Sequence, residues 1–280
     1  MIFIFMALYQ EAAPLIRSLN LKQGDAMFPS FFSDGIRLTL TGTGPLAASS
    51  VAASVLSSSE ISPSDILLSI GTCAALGNLK PGTIALIHRI HDLSSGRDYY
   101  PDIISSSLKQ EASLITGGRI GSFSPKDGET DFNALAKLIH DETVYDMESA
   151  GIFQAGSLFL SPHQMRFIRV VSDQGEPLSA EDLSRFMTPL AQILPEEIRR
   201  MKSFCTERKC MDPDIEPYAD DLGASLSMRR RLRQIMRYCR LAGIDFAAIV
   251  SPFYREGRMP VKSKEEGKNL LREIEYECNR

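Results

Sequence analysis

Tryptophan is absent from this 280-residue chain, histidine occurs four times and cysteine five times. An odd number of irregularly spaced cysteines fits a reducing cytoplasm better than a disulfide framework. No His/Cys cluster has metal-ligand spacing. Cys205 and Cys210 have no partner pair, and His88 and His91 read as surface polar residues in an extended stretch. No metal and no cofactor is therefore expected. A Walker loop and a complete dinucleotide fingerprint are also missing, because Gly42-Thr43-Gly44 and Gly71-Thr72 taken alone are ordinary turn glycines. No apolar run approaches the length that spans a bilayer. The apolar start from Met1 to Leu8 lacks a basic head and a small-residue cleavage site, which makes it a buried strand and not a signal peptide. Internal repeats are lacking, and low complexity is confined to short serine clusters.

What is present is a globular composition, 44% hydrophobic and 24% charged, enough for one large α/β domain or a domain with an appendage. Ile2–Leu8 reads as a strand covered on both faces. A helix follows from Gln10, with Pro14 near its start. Ile36–Thr41, Ile66–Ile70, Thr83–Ile90, Arg119–Phe123 and Phe167–Val171 read as further strands. Ala47–Leu56 and Pro189–Phe204 read as helices. Strands alternating with helices, with polar residues just past the strand ends, predict a three-layer α/β/α domain over residues 1–204. Ligands of such sheets bind outside the carboxyl ends of the strands, where Glu11, Thr43, Thr72, Glu148 and Asp173 would gather.

Residues 205–224 are polar and proline-bearing and read as a linker. Residues 225–280 read as a small α-rich extension. Ser225–Leu241 is an amphipathic helix with Arg229, Arg230, Arg233, Arg237 and Arg240 on its polar face. Asp245–Tyr254 reads as a strand and Ser263–Cys278 as a second helix. From residue 221 onward there are 13 Lys/Arg against 8 Asp/Glu. That balance leaves contact with nucleic acid or an acidic protein open beside a simply solvated face.

The stretch Val144–Ile152 is the centre of the functional reading. Asp146 and Glu148 flank Met147 at the head of a helix made of small residues. Capping and dipole complementarity alone account for acids there. The ordered set Ala7-Leu8-x-x-Glu11, Thr41-Gly42-Thr43-Gly44, Ile70-Gly71-Thr72-Cys73-Ala74, Asp146-Met147-Glu148-Ser149-Ala150 and Arg169-Val170-Val171-Ser172-Asp173 says more. In that order the chain resembles the nucleoside phosphorylase/nucleosidase superfamily. It is most similar to 5′-methylthioadenosine/S-adenosylhomocysteine nucleosidases, with futalosine hydrolases second.

The resemblance implies a mixed central sheet and a small-molecule nucleoside substrate. It also implies a homodimer. It assigns Asp173 as the acid for the purine, oriented by Ser172, and Glu11 as the base for water. Arg169 and Thr72 would surround the water or ribose, Glu148 would bind the ribose hydroxyls, and Met147 would pack beneath the sugar. The family's base-contacting loop differs here, reading Gly121-Ser122-Phe123-Ser124-Pro125, with Phe123 a candidate for stacking on the base. Phosphorolysis is the alternative to hydrolysis. The arginine that phosphorylases place two residues before their Gly-Ser motif is Ser69 here, and Leu8-Tyr9-Gln10-Glu11 replaces the phosphate loop. A glutamate repels phosphate and suits a water nucleophile, so hydrolysis is the expectation. A nucleoside-binding sensor with the tail as output is the reading from outside enzymology.

Overall fold

The structure is a computed structural model and describes residues 1–104, 106–118, 137–173, 178–209 and 213–278. The chain divides into two compact units, Met1–Thr206 and Glu207–Arg280. The expected strand Arg119–Phe123 lies outside the described residues.

Among the described residues the first unit is built on a ten-stranded mixed sheet. Its strands are β1 (Ile2–Met6), β2 (Lys22–Gly24), β3 (Ser30–Ser33), β4 (Ile36–Leu40), β5 (Ile66–Ala75), β6 (Ile84–Asp92), β7 (Arg97–Tyr99), β8 (Glu111–Thr116), β9 (Thr143–Asp146) and β10 (Met165–Asp173). The order is β10-β6-β8-β9-β5-β1-β4-β3-β2, with β7 on β6. Because β10 also pairs with β5, five strands close into a ring while β1 to β4 extend from it as an open sheet. The pairs β1–β4, β1–β5, β5–β10, β6–β8 and β8–β9 are parallel. The pairs β6–β10 and β5–β9 run antiparallel.

All five residues of β1 are buried, and their alternation shows why. Phe3 and Phe5 enter one core, while Ile2, Ile4 and Met6 enter another on the opposite face. The first core is completed by α2 (Pro45–Ser57) and α3 (Ser149–Gly156), through Ala48, Val51, Ala52, Val55, Ile152 and Phe153. The second is completed by α1 (Tyr9–Ser18) and α4 (Ala180–Lys209), through Ala12, Leu15, Met187, Leu190, Leu194 and Ile198. A strand apolar at every position is thus the middle layer of three, as the sequence predicts. Small residues let α3 approach α2 closely. A Cβ on Gly151 would sit 2.2 Å from the Pro45 carbonyl oxygen, closer than packed atoms come.

Several elements differ from the expectation. The strand predicted to stop at Ile70 continues to Ala75 as β5, because Gly71 and Thr72 pair with Arg169 and Val170, and Ala74 and Ala75 pair with β9. Gly71-Thr72 is therefore strand and not a turn. Gly42 and Gly44 do form a turn, at φ of 73° and 96°, backbone angles that suit glycine. The helix expected from Pro189 starts at Ala180 and contains both Pro189 and Pro195.

In the second unit, α5 (Glu216–Asp221), α6 (Leu226–Leu241), α7 (Phe246–Arg255) and α8 (Lys264–Cys278) surround their own core. Two expectations are corrected there. Residues read as linker supply Ile215, Ala219 and Leu222 to this core. The expected strand Asp245–Tyr254 is the helix α7, capped by the Asp245 carboxylate, which accepts from the Ala247 and Ala248 N–H groups. Its buried residues Phe246, Val250 and Phe253 recur at helical spacing. The arginine face is also less free than its sequence implies. Arg229 pairs with Glu216 and Asp220, and Arg231, off that face, pairs with Glu275. Over residues 207–280 the balance is 15 basic to 13 acidic residues. Among the described residues no helix is long and apolar enough to cross a membrane.

Candidate active site

The carboxyl ends of β1, β4, β5, β9 and β10 bring the charged groups together. Glu11 lies in the first turn of α1, just after β1, and is 4% exposed. Its Oε1 accepts hydrogen bonds from the Thr72 backbone N–H (2.8 Å) and hydroxyl (2.6 Å). Its Oε2 accepts a longer one from the Leu8 N–H (3.3 Å). A buried carboxylate is tolerable here because three donors converge on it. Thr72 thus faces Glu11, and β5 has to run on past Gly71 to place it there.

Asp146 ends β9 and Glu148 heads α3, and their carboxylates diverge. Asp146 does the capping that its sequence position suggests, accepting from the Ser149 N–H (3.0 Å) and hydroxyl (2.6 Å). It is also paired with Arg169. Arg169 Nε and one terminal nitrogen donate to Asp146 Oδ2 at 3.0 and 2.8 Å, with both side chains almost fully buried. The other Arg169 donors go to the Ser69 carbonyl and hydroxyl, the Ile168 carbonyl and the Ser149 hydroxyl, at 2.6–2.9 Å. Ser69 of β5 therefore binds the Arg169 guanidinium from β10 through both its carbonyl and its hydroxyl.

Glu148 turns away from its own helix. Its Oε1 accepts from the Gly44 N–H at 2.8 Å, tying the β4 turn to the head of α3. Its Oε2 has no hydrogen bond among the described residues. Burial, and next the Asp146 carboxylate, push the Glu148 carboxyl up to about 7, against the opposing pull of the Gly44 N–H and Arg169, with Glu11 adding a smaller push. The folded state therefore binds this proton more tightly than the unfolded chain does. The corresponding stability is fully present below about pH 4.5 and is lost as the pH rises through about 7. The protein is expected to lose about 3 kcal/mol relative to Glu148→Gln across that window. Urea unfolding of both proteins at pH 4.5, 6 and 7.5 measures this, and parallel stability profiles would contradict it.

Asp173 closes β10, half-buried, after a register irregularity that begins at Val171. Irregularities of this kind re-aim side chains at sheet ends. Ser172 donates to Asp173 Oδ2 at 2.6 Å and reaches the Cys73 carbonyl at 3.2 Å. The buried Cys73 thiol is pushed up chiefly by burial, with Arg169 opposing and Asp146, Asp173 and Glu11 adding to the push. Asp173, Glu11 and the Arg169–Asp146 pair all act on that one sulfur, so they share one end of the sheet. Met147 is half-buried and packs against Ile115 and Tyr145. Thr43 is exposed in the β4 turn. Phe123 lies outside the described residues.

The sequence reading did not anticipate the Asp146–Arg169 pair, the seat of Arg169 on Ser69, or the Gly44 N–H as the partner of Glu148. The signal available for the first was a buried arginine on a strand, which needs a counter-charge from some other element.

No protein-family model matches the chain, and neither does any curated protein sequence. Among solved structures it is similar to 5′-methylthioadenosine/S-adenosylhomocysteine nucleosidases. One from Helicobacter pylori with butyl-thio-DADMe-Immucillin-A is 14% identical at a TM-score of 0.56, over 71% of this chain and 97% of that one. One from Neisseria meningitidis in complex with methylthio-immucillin-A is 18% identical at 0.53, over 73% and 96%. One from Colwellia psychrerythraea 34H in complex with adenine is 18% identical at 0.52, over 73% and 94%. The first unit has the nucleoside phosphorylase-like fold of these proteins, and the C-terminal helices lie outside the matched part.

Proposed function

We propose that the protein is a nucleosidase that hydrolyses the N-ribosidic bond of a purine nucleoside, with 5′-modified adenosines such as methylthioadenosine or S-adenosylhomocysteine as substrates. One observation carries the choice of hydrolysis. The guanidinium nearest the proposed nucleophile site has every N–H committed to protein acceptors. Beside it stands the Glu11 carboxylate, whose Oε1 accepts from the Thr72 N–H and hydroxyl. Water suits that environment, whereas phosphate would meet a like charge and no free fork.

The chemistry follows from the residues. Asp173, oriented by Ser172, donates a proton to the purine N7, so the C1′–N9 electron pair leaves on a neutral base. Water adds to the opposite face of C1′, and Glu11 takes its proton. Acid and base then stand on opposite sides of the breaking bond, as in inverting glycosidases. Glu148 accepts from the ribose hydroxyls, and its charge favours the cation developing on the sugar. Met147 packs beneath the ring. Arg169 acts from behind, through the groups it holds.

The test is base release from methylthioadenosine, S-adenosylhomocysteine, adenosine and inosine, without phosphate and with it added. Release of adenine from the 5′-thio substrates at the same rate in both buffers is expected. Release that needs phosphate would overturn hydrolysis in favour of phosphorolysis.

A further inference from the structure

We propose that Asp146 is a positioning residue for this site: by occupying the Arg169 guanidinium it leaves Glu11 and Glu148 without a cationic partner. The assignment rests on the nucleosidase reading for its consequence and on geometry for its content.

Four carboxylates, Glu11, Asp146, Glu148 and Asp173, and one guanidinium meet at this end of the sheet, so the arginine's choice of partner decides what the others can do. Arg169 and Glu11 both lie close to Gly71. A Cβ placed there would lie 3.6 Å from Glu11 Oε1 and 4.0 Å from Arg169 Cζ. Asp146 nevertheless takes the guanidinium, and both its oxygens are fixed. Oδ1 accepts from the Thr116 hydroxyl at 2.8 Å, and that hydroxyl accepts in turn from the Ala150 N–H at 3.2 Å. Oδ2 accepts from Ser149 and from Arg169. Neither partner can swing towards the cleft without breaking several buried hydrogen bonds.

An arginine freed from this hold would pair with Glu11 or Glu148. Paired with Glu11, it would draw away the lone pair that accepts a proton from water. Paired with Glu148, it would compete with the sugar hydroxyls. The charged and polar groups facing Glu148 are Asp146 from β9, Arg169 from β10, Glu11 from α1 and the Gly44 N–H at the head of α2. Removing either member of the Asp146–Arg169 pair therefore moves the Glu148 titration in a direction set by the charge that remains.

The experiment is a carbon-13 NMR titration of the Glu148 carboxyl, assigned by its disappearance in Glu148→Gln. It is run beside the pH profile of kcat/KM for adenine release from methylthioadenosine. In Asp146→Asn the carboxyl should titrate at least about one pH unit lower, because an acid is lost and a free cation left. In Arg169→Gln it should titrate higher, and in the double variant it should fall back below the Arg169→Gln value. The acid limb of kcat/KM should follow in each case. A purely structural pair would lower stability and activity while leaving the titration in place, and that result would overturn the proposal. Should Asp146→Asn not fold, Arg169→Gln against the neutral double variant makes the same comparison. Titration shifts in the stated directions, with no base release even from the unsubstituted protein, would uphold the role of Asp146 and remove the nucleosidase reading.

Discussion

Replacing Glu11 by glutamine, or Asp173 by asparagine, is expected to lower kcat for adenine release by about 10²- to 10⁴-fold, the range typical of a lost general acid or base. The two substitutions reach that loss by different routes. In Glu11→Gln the amide oxygen can still accept from the Thr72 N–H and hydroxyl, which now meet Oε1 at 2.8 and 2.6 Å. The fold around β5 is therefore retained while the group that takes the proton from water is gone. In Asp173→Asn the Ser172 hydroxyl keeps an acceptor in place of Oδ2, but an amide has no proton to transfer to N7. Steady-state kinetics on methylthioadenosine, with thermal unfolding as the control for folding, measures both. Turnover within a factor of ten of the unsubstituted protein in either variant would remove that residue from the mechanism.

The second large effect is on stability and lies away from the site. Arg166 on β10 and Glu197 on α4 are 2% and 0% exposed in their side chains and pair at 3.3 Å. Glu197 also accepts from the Ser106 hydroxyl and the Ser107 N–H, each at 2.8 Å, and from the Ser107 hydroxyl. It thereby fastens the segment before β8 to the long helix. Glu197→Gln keeps the volume and removes the charge facing a buried guanidinium. Breaking one side of such a pair costs about 3–5 kcal/mol, because the remaining charge stays buried. Urea unfolding at pH 7 should show that loss. Arg166→Met combined with Glu197→Gln should lose less than Glu197→Gln alone, since no charge is left in the interior and the amide oxygen still accepts from Ser106 and Ser107. A loss below about 1 kcal/mol for Glu197→Gln would mean that water or another group compensates.

Much of the fold was readable because its rules are local. The unbroken apolar run of β1 announced a strand covered on both faces, and it fills two cores. The polar residues Glu11, Thr72, Asp146 and Asp173 come together at one end of the sheet, although Thr72 lies inside β5 and not past its end. Where local rules conflicted, the reading failed. Asp245–Tyr254 reads as a strand in the sequence, yet it is helical. Phe246, Val250 and Phe253 share one buried side only when the segment is helical. The polar stretch before α6 looked like linker, yet Ile215, Ala219 and Leu222 are buried in the second core. One apolar residue every few positions is a weak signal until a partner surface exists.

For the site, the sequence alone determined which chemical groups are present and in what order they leave the strand ends: Glu11, Thr72, Asp146, Glu148, Arg169 and Asp173. Tertiary structure decided which of the acids is neutralised. Asp146 and Arg169 are 23 residues apart, on strands that do not pair with each other. Glu148 and Gly44 are separated by 104. No periodicity links such positions, because the preference of a guanidinium for one carboxylate over another depends on distance, burial and competing donors. Those quantities exist only once β5 has brought β9 and β10 to its two sides.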